Sequence, residues 1–91
     1  MTTKSMYYIY ILRCCDKSLY TGITMDVKRR FKEHRAGKGG HYTRSHPPEK
    51  IVYIEKAKTR SAALKREAAI KKMPRKRKLE LTEKKLLKVR I

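Results

Sequence analysis

The chain has 91 residues, of which 40% are apolar, so we expect one small domain rather than two independent cores or a disordered polyelectrolyte. Its 26 Lys and Arg outnumber 8 Asp and Glu, and the resulting net charge of +18 predicts a polyanionic partner. Nucleic acid fits this role better than an anionic membrane, because basic membrane helices need a broad apolar face and the sequence has no Trp and one Phe.

The N-terminal segment MTTKSMYYIYILRCCDK has only a short apolar run, too brief for a membrane span, and it lacks a signal-peptide cleavage site. We therefore expect a cytoplasmic protein. Cys14 and Cys15 are adjacent, a spacing that suits neither a zinc ligand pair nor a C-x-x-C redox pair. The three histidines, His34, His41 and His46, straddle a predicted helix end and a loop, and no structural zinc is predicted.

Two β-strands are predicted at residues 7–13, YYIYILR, and 19–24, LYTGIT, from their aromatic and β-branched composition. The segment CCDKS between them predicts a hairpin turn. If that turn is centred on Cys15, Tyr10 lies directly opposite Tyr20 and the two phenol rings share a face. Gly22 is unfavourable inside a strand, so it indicates the close approach of another group, which we place beside Tyr20.

The segment VKRRFKEHRA predicts the first helix, which Gly37 ends. Val27, Phe31 and His34 form one stripe of this helix, and Arg30 and His34 flank the side that faces the core. A cation in that position needs a nearby anion or acceptor. The stretch GKGGHYTRSHPP that follows, with three glycines and two prolines, predicts an irregular basic loop.

The rest of the chain predicts a third strand over residues 51–57, a second helix over 61–73 and a short third helix over 75–81. Pro74 either ends the second helix or starts the third. Leu79 and Leu81 are expected to hold the third helix to the domain. The remaining residues predict either a continuation of that helix or a basic tail.

The second predicted helix places a carboxylate among apolar neighbours, because Glu67 shares a stripe with Ala63 and Ile70. An ordinary salt bridge with Lys71, four residues further on, explains this carboxylate as well as a functional role does.

Taken in order, these features resemble the GIY-YIG nuclease domain over residues 7 to about 73, and most closely its small, stand-alone bacterial members. Residues 8–10, Tyr-Ile-Tyr, match the first motif with Tyr in place of the leading Gly. Residues 20–22, Tyr-Thr-Gly, match the second with Thr in place of Ile. Arg30 lies ten residues after Tyr20, where the family places its helix arginine. His34 matches a histidine present in some members.

The resemblance implies an α+β fold with a small three-stranded, mostly antiparallel sheet flanked by helices, in the order β-β-α-β-α-α. The domain is expected to span residues 5–82, with a basic C-terminal extension over 83–91. It also implies a metal-dependent endonuclease that hydrolyses DNA. A structure-selective role in DNA repair or recombination fits this activity, but the sequence specifies neither the DNA structure nor the pathway. The five implied catalytic residues are Tyr10, Tyr20, Arg30, His34 and Glu67.

In this reading Glu67 holds a single Mg²⁺ or Mn²⁺, because hard cations prefer carboxylate oxygen and one ligand leaves room for water and phosphate. Arg30 binds phosphoryl oxygens through its planar fork. Tyr10 and Tyr20 are assigned jointly to activating water and binding phosphate, with nearby cations expected to lower the pKa of a phenol. His34 relays a proton or binds phosphate. Six further residues are predicted to contact nucleic acid: Arg29, Arg35, Lys38, Thr43, Arg44 and Lys71.

A purely structural role also explains four of the implied catalytic residues. Tyr10 and Tyr20 also fit an ordinary cross-strand pair, Arg30 also fits a surface pair with Glu33, and His34 also fits a buried structural histidine. The main rival function is a non-catalytic basic module that binds DNA or structured RNA and keeps the same fold. In either case a protein partner can supply selectivity that a strongly cationic surface lacks.

Overall fold

The computed structural model describes the backbone of residues 6–90 and the side chains of residues 6–83. In chain order the elements are β1 (Tyr7–Cys14), β2 (Leu19–Thr24), α1 (Val27–Arg35), α2 (His41–Ser45), β3 (Pro48–Ala57), α3 (Arg60–Lys72) and α4 (Arg75–Arg90). The strands form one antiparallel sheet in the order β2-β1-β3. The predicted α+β fold is confirmed, with one helix more than expected.

The central strand β1 is buried on both faces, which explains why its sequence is continuously apolar and aromatic rather than alternating. On one face, Ile9 and Ile11 pack with Tyr53 of β3 and with Ala63 and Ile70 of α3 to form the main core. On the other face, the alternate residues of β1 turn towards the candidate site. The central strand therefore holds the core on one side and the site on the other.

The hairpin register differs from the expected one. Tyr10 pairs with Gly22, and Tyr20 pairs with Leu12, so the two tyrosines lie diagonally and not opposite one another. The reason is the turn, in which the backbone N–H of Cys14 donates to the carbonyl of Ser18, and Lys17 adopts a φ of 71°. This places the hairpin centre at residue 16 rather than at Cys15.

The register gives Gly22 a different neighbour from the one predicted. A Cβ atom on Gly22 would lie 2.6 Å from the Tyr10 hydroxyl oxygen and 2.8 Å from its Cζ. Tyr10 is only 2% exposed, so its ring has little room to move aside. The glycine thus makes space for Tyr10, not for Tyr20 as expected.

The stretch predicted as an irregular loop contains the one-turn helix α2, so that prediction was wrong in part. The turn is closed by backbone N–H groups of Arg44 and His46, which donate to the carbonyls of Gly40 and Tyr42. Just before it, a Cβ atom on Gly39 would lie 2.6 Å from Cγ of His34, too close to the imidazole ring for any residue with a side chain. The flexible glycine segment lets the chain pass this ring before α2 begins.

The two C-terminal helices cover the core face of the sheet. Thr59 caps α3, and Arg66 joins this helix to β3 through both carboxylate oxygens of Glu55, at 3.1 and 3.0 Å from Nε. Leu81 packs against the core as expected, but Leu79 is exposed. Side chains two residues apart on a helix point in nearly opposite directions, so only one of the two leucines can face the sheet.

Of the two C-terminal alternatives, the structure has the helical continuation, because α4 runs without a break from Arg75 to Arg90. The expected boundary between a domain and a basic extension at residues 82 and 83 falls inside this helix. Side chains from residue 84 onward lie outside the described residues, so the separate extension stays a prediction. No helix within residues 6–90 combines the length and apolar character needed to cross a membrane.

Substituting Gly22→Ala should destabilise the fold by about 1 to 3 kcal/mol, because the new methyl group overpacks the buried Tyr10 ring. Denaturant unfolding measures this cost. In a Tyr10→Phe background the cost should be smaller, since the hydroxyl oxygen makes the closest contact. An equal cost in both backgrounds would show that the Tyr10 hydroxyl does not contribute to the overpacking.

Candidate nuclease site

The buried imidazole of His34 connects three elements of the fold. Its Nε2 lies 2.9 Å from the Tyr10 hydroxyl on β1, and its Nδ1 lies 2.7 Å from the Thr43 hydroxyl on α2. His34 is 1% exposed, and burial, followed by the charge of Arg30, lowers its pKa below the ordinary value of 6.5. The ring is therefore neutral at pH 7 and carries one N–H, so it accepts a hydrogen bond on one side and donates on the other.

Tyr10 behaves differently from the sequence-based expectation. Burial raises the pKa of Tyr10 to about 12, and the opposing effect of Arg30 is smaller. Arg30 does lower the pKa of this phenol, as expected of a nearby cation, but desolvation of the phenolate outweighs that effect and the net shift is upward. Tyr10 is therefore protonated at neutral pH in the folded chain, and its hydroxyl can donate to His34.

Arg30 is held at the edge of this buried group by two partners. Its Nη1 donates to Oε1 of Glu33 at 2.9 Å, and its Nη2 donates to the carbonyl of Gly39 at 2.9 Å. The hydrogen bond to Glu33 raises the pKa of Arg30 further, and Arg30 in turn lowers the pKa of Glu33. These two contacts and a side-chain hydrogen bond to Tyr10, which also raises the pKa of Arg30, leave at least two of the five N–H groups of the guanidinium for a ligand.

Glu67 lies on α3 with its side chain 18% exposed, and its Oε2 is 3.3 Å from Nζ of Lys71. Burial raises the pKa of Tyr10, and the negative charge of Glu67 makes a smaller contribution in the same direction. Within the described residues, no group of three or more His, Cys, Asp or Glu could hold a metal by itself. A single accessible carboxylate fits Mg²⁺ or Mn²⁺, which readily keep water molecules as their other ligands.

Tyr20 contacts the buried group from β2. Its ring centroid lies 6.4 Å from that of Tyr10 and 5.1 Å from that of His34, with the His34 contact edge to face. Tyr20 is half-buried, whereas Tyr10 is almost fully enclosed. The two motif tyrosines therefore differ in access: Tyr20 reaches the surface and Tyr10 lies behind it.

The surface around this group is basic. Five of the six residues predicted to bind nucleic acid have exposed side chains: Arg29, Arg35, Lys38, Arg44 and Lys71. Thr43 differs from them, because it is 1% exposed and its hydroxyl faces His34 rather than solvent. Thr43 is therefore a hydrogen-bond partner of the His34 imidazole.

Sequence reasoning missed two residues of the site. Gly39 provides the space that the His34 ring occupies, and Tyr42 stacks on Tyr20 at 5.8 Å with an angle of 18° between the rings. The signal for both lay in the stretch read as a loop, where a glycine run precedes an aromatic residue. Neither contact is local in sequence, so the pattern alone gave no partner for either residue.

Comparison with known proteins places this geometry in a family. The GIY-YIG catalytic domain matches residues 6–80. A UPF0213 protein of Haloquadratum walsbyi is 52% identical over 77 residues, covering 85% of this chain and 86% of that protein. Another from Syntrophus aciditrophicus is 51% identical over 78 residues, covering 85% and 90%.

Two solution structures have the same fold. A UPF0213 protein from Bacillus halodurans aligns with a TM-score of 0.56 and 40% identity, covering 86% of this chain and 83% of that one. A protein from E. faecalis aligns with a TM-score of 0.62 and 41% identity, covering 96% and 93%. The chain therefore belongs to the GIY-YIG nuclease superfamily, within the UPF0213 proteins that carry this domain.

Proposed function

We propose that this protein is a metal-dependent endonuclease that hydrolyses phosphodiester bonds in DNA. The observation that carries the proposal is the cluster of Tyr10, Tyr20 and His34 rings, with Arg30 and Glu67 both acting electrostatically on Tyr10. Phosphodiester hydrolysis needs a proton acceptor, a cation for the phosphoryl oxygens and a ligand for a metal. This cluster offers each of them, and membership in the nuclease superfamily supports the same chemistry.

The pair formed by Tyr10 and His34 is the proposed proton acceptor. With a pKa of about 12, Tyr10 holds its own proton at neutral pH and is not a free base. It can nevertheless take a proton from an attacking water while its own proton passes to Nε2 of the neutral His34, 2.9 Å away. Thr43 fixes the ring by accepting from Nδ1. Tyr20, which reaches the surface, is then the tyrosine that contacts phosphate.

Arg30 and Glu67 act on the phosphate itself. The free N–H groups of Arg30 match two phosphoryl oxygens in a bidentate geometry. Glu67 would hold Mg²⁺ or Mn²⁺ in place of Lys71, and the cation would supply positive charge to the oxygens as negative charge develops on them. The exposed cations Arg29, Arg35 and Lys38 extend the basic surface on which the DNA backbone would lie.

Location and partners complete this proposal. DNA is the proposed substrate, and RNA is the competing polyanion. Cys14, which is buried, and Cys15, which is exposed, are both free thiols, in keeping with the proposed cytoplasmic location. A protein partner would supply selectivity for one nucleic-acid structure.

A second function is favoured by the ion pairs of the site. Glu67 is paired with Lys71, and Arg30 with Glu33, so both charged groups already have partners without substrate or metal. A basic module that binds nucleic acid without cutting it would have the same ion pairs. Incubation with supercoiled, branched, flapped and single-stranded DNA and with structured RNA, in Mg²⁺ or Mn²⁺, separates the two functions.

Removing the carboxylate in Glu67→Ala should lower DNA cleavage by at least about a hundredfold while leaving DNA binding nearly unchanged. The measurement is nicking of supercoiled DNA over a Mn²⁺ titration, beside binding in chelator. Glu80→Ala is the matched control, since it removes an exposed carboxylate from α4. Equal cleavage by Glu67→Ala and the wild type would remove Glu67 from the mechanism.

The Arg30→Lys substitution keeps the positive charge but loses the planar fork of the guanidinium. The cleavage rate should fall at least about tenfold, because losing one hydrogen bond to a charged group costs ~1.5 to 3 kcal/mol. Single-turnover cleavage measures this loss. Arg60→Lys, which changes an exposed guanidinium at the start of α3, should cleave at nearly the wild-type rate. If both variants cleave equally, the guanidinium of Arg30 has no special role.

The lowered pKa of His34 makes fold stability depend on pH. Its pKa is lower in the folded chain than the ordinary 6.5, so protonation favours the unfolded chain. The free energy of unfolding should be fully maintained above about pH 6.5 and should fall as the pH drops from there towards the lower folded pKa. Urea unfolding at a series of pH values measures it.

The controls for this experiment are two histidine variants. His34→Gln should remove the slope below about pH 6.5, whatever its overall cost, because no imidazole then titrates at that position. His41→Gln, which removes an exposed imidazole, should retain the slope. An unchanged slope in His34→Gln would mean that another group causes the pH dependence.

A further inference from the structure

An open pocket of about 230 Å³ lies beside the candidate site, along the outer edge of β2. Consecutive residues of β2 line it together with Tyr42 from α2, Lys71 from α3 and Lys78 from α4. Pockets for drug-sized ligands enclose about 300 to 1,000 Å³, so this one suits a smaller group. Its walls combine aromatic rings with cations, which is the composition of a nucleotide site.

The aromatic wall is part of a ladder of three rings. Tyr20 stacks on Tyr42 at 5.8 Å and 18°, and Tyr42 stacks on His46 at 4.2 Å and 9°. Tyr42 is nevertheless 38% exposed, so the ladder leaves aromatic surface in contact with solvent. Exposed rings that stack in series match the platforms on which proteins hold unpaired bases.

The remaining walls offer polar groups for the rest of a nucleotide. Lys71 and Lys78 approach from two different helices and match phosphate oxygens. Thr21 is 3% exposed, and its hydroxyl has no hydrogen-bond partner among the described residues. A buried hydroxyl without a partner is costly, so the strand that forms this wall carries an unsatisfied polar group next to the pocket.

Tyr20 belongs to both the pocket and the catalytic cluster. One residue thus contacts His34, at 5.1 Å between ring centroids, and lines the pocket. Lys71 also lines the pocket and contacts the cluster, because it forms an ion pair with Glu67. A base in the pocket would therefore belong to a nucleotide next to the phosphate held at the site.

We propose that this pocket binds the base of an unpaired nucleotide adjacent to the cleaved phosphate. The inference rests on the proposed nucleic-acid substrate and restricts that substrate to nucleic acids with unpaired nucleotides. A base inside a duplex is stacked on both faces and cannot enter a side pocket without leaving the stack. Substrates with single-stranded, flapped or branched segments would thus be preferred to continuous duplex.

The test compares two single strands of about eight nucleotides with the same number of phosphates, one with ordinary bases and one abasic throughout. Binding is measured by fluorescence anisotropy in chelator, so that no strand is cut. The wild type should bind the base-containing strand between about 5- and 150-fold more tightly, the range for stacking of one base. Tyr42→Ala should lose this difference, and Tyr42→Phe, which keeps the ring, should retain it.

Two results would overturn the proposal: equal affinity of the wild type for both strands, or a base preference that survives in Tyr42→Ala. Urea unfolding checks that the variant folds, and if it does not, the wild-type comparison still decides. The binding assay is independent of cleavage. Base-dependent binding without any cleavage refutes the nuclease alone, whereas cleavage with no base-dependent binding refutes the pocket alone.

Discussion

The buried imidazole of His34 is the contact on which the arrangement of the site depends. A polar ring that is removed from water must find hydrogen-bond partners for both nitrogens, or its burial costs several kcal/mol (about 2 to 7). Tyr10 and Thr43 supply those partners, and Gly39 supplies the space. Because these residues come from β1, α2 and the segment between the helices, one ring fixes the position of α2 against the sheet.

The same burial controls the protonation of the site. The chain carries a net charge of +18, yet Tyr10 has a raised pKa and His34 a lowered one. Both shifts favour the neutral form, as removal from water does. The excess cations lie mostly on the exposed surface, where solvent and salt screen them. Net charge therefore governs attraction of a polyanion, while desolvation governs the proton chemistry.

The edge strand β2 joins the catalytic cluster to the neighbouring pocket. Gly22 lets Tyr10 approach from the central strand, and Tyr20 contacts His34 and stacks on Tyr42. An edge strand also has backbone groups that no neighbouring strand satisfies, which makes it available to a ligand. The second motif thus connects the proposed proton-transfer group to the proposed surface for a base.

The approximate strands and helices follow from local patterns in the sequence, because side-chain periodicity is a local property, while the α+β fold and the set of motif residues came from the resemblance to a family. The sequence also indicated a close approach at Gly22. Packing in three dimensions shows that this approach is by Tyr10, that Thr43 faces His34, and that Tyr42 stacks on Tyr20. The register depends on a turn with Lys17 at positive φ, and the direction of the Tyr10 pKa depends on burial. The register is set within the turn itself, where the sequence has a lysine rather than a glycine or asparagine at positive φ, whereas the burial of Tyr10 comes from segments distant in the chain, which no local pattern encodes.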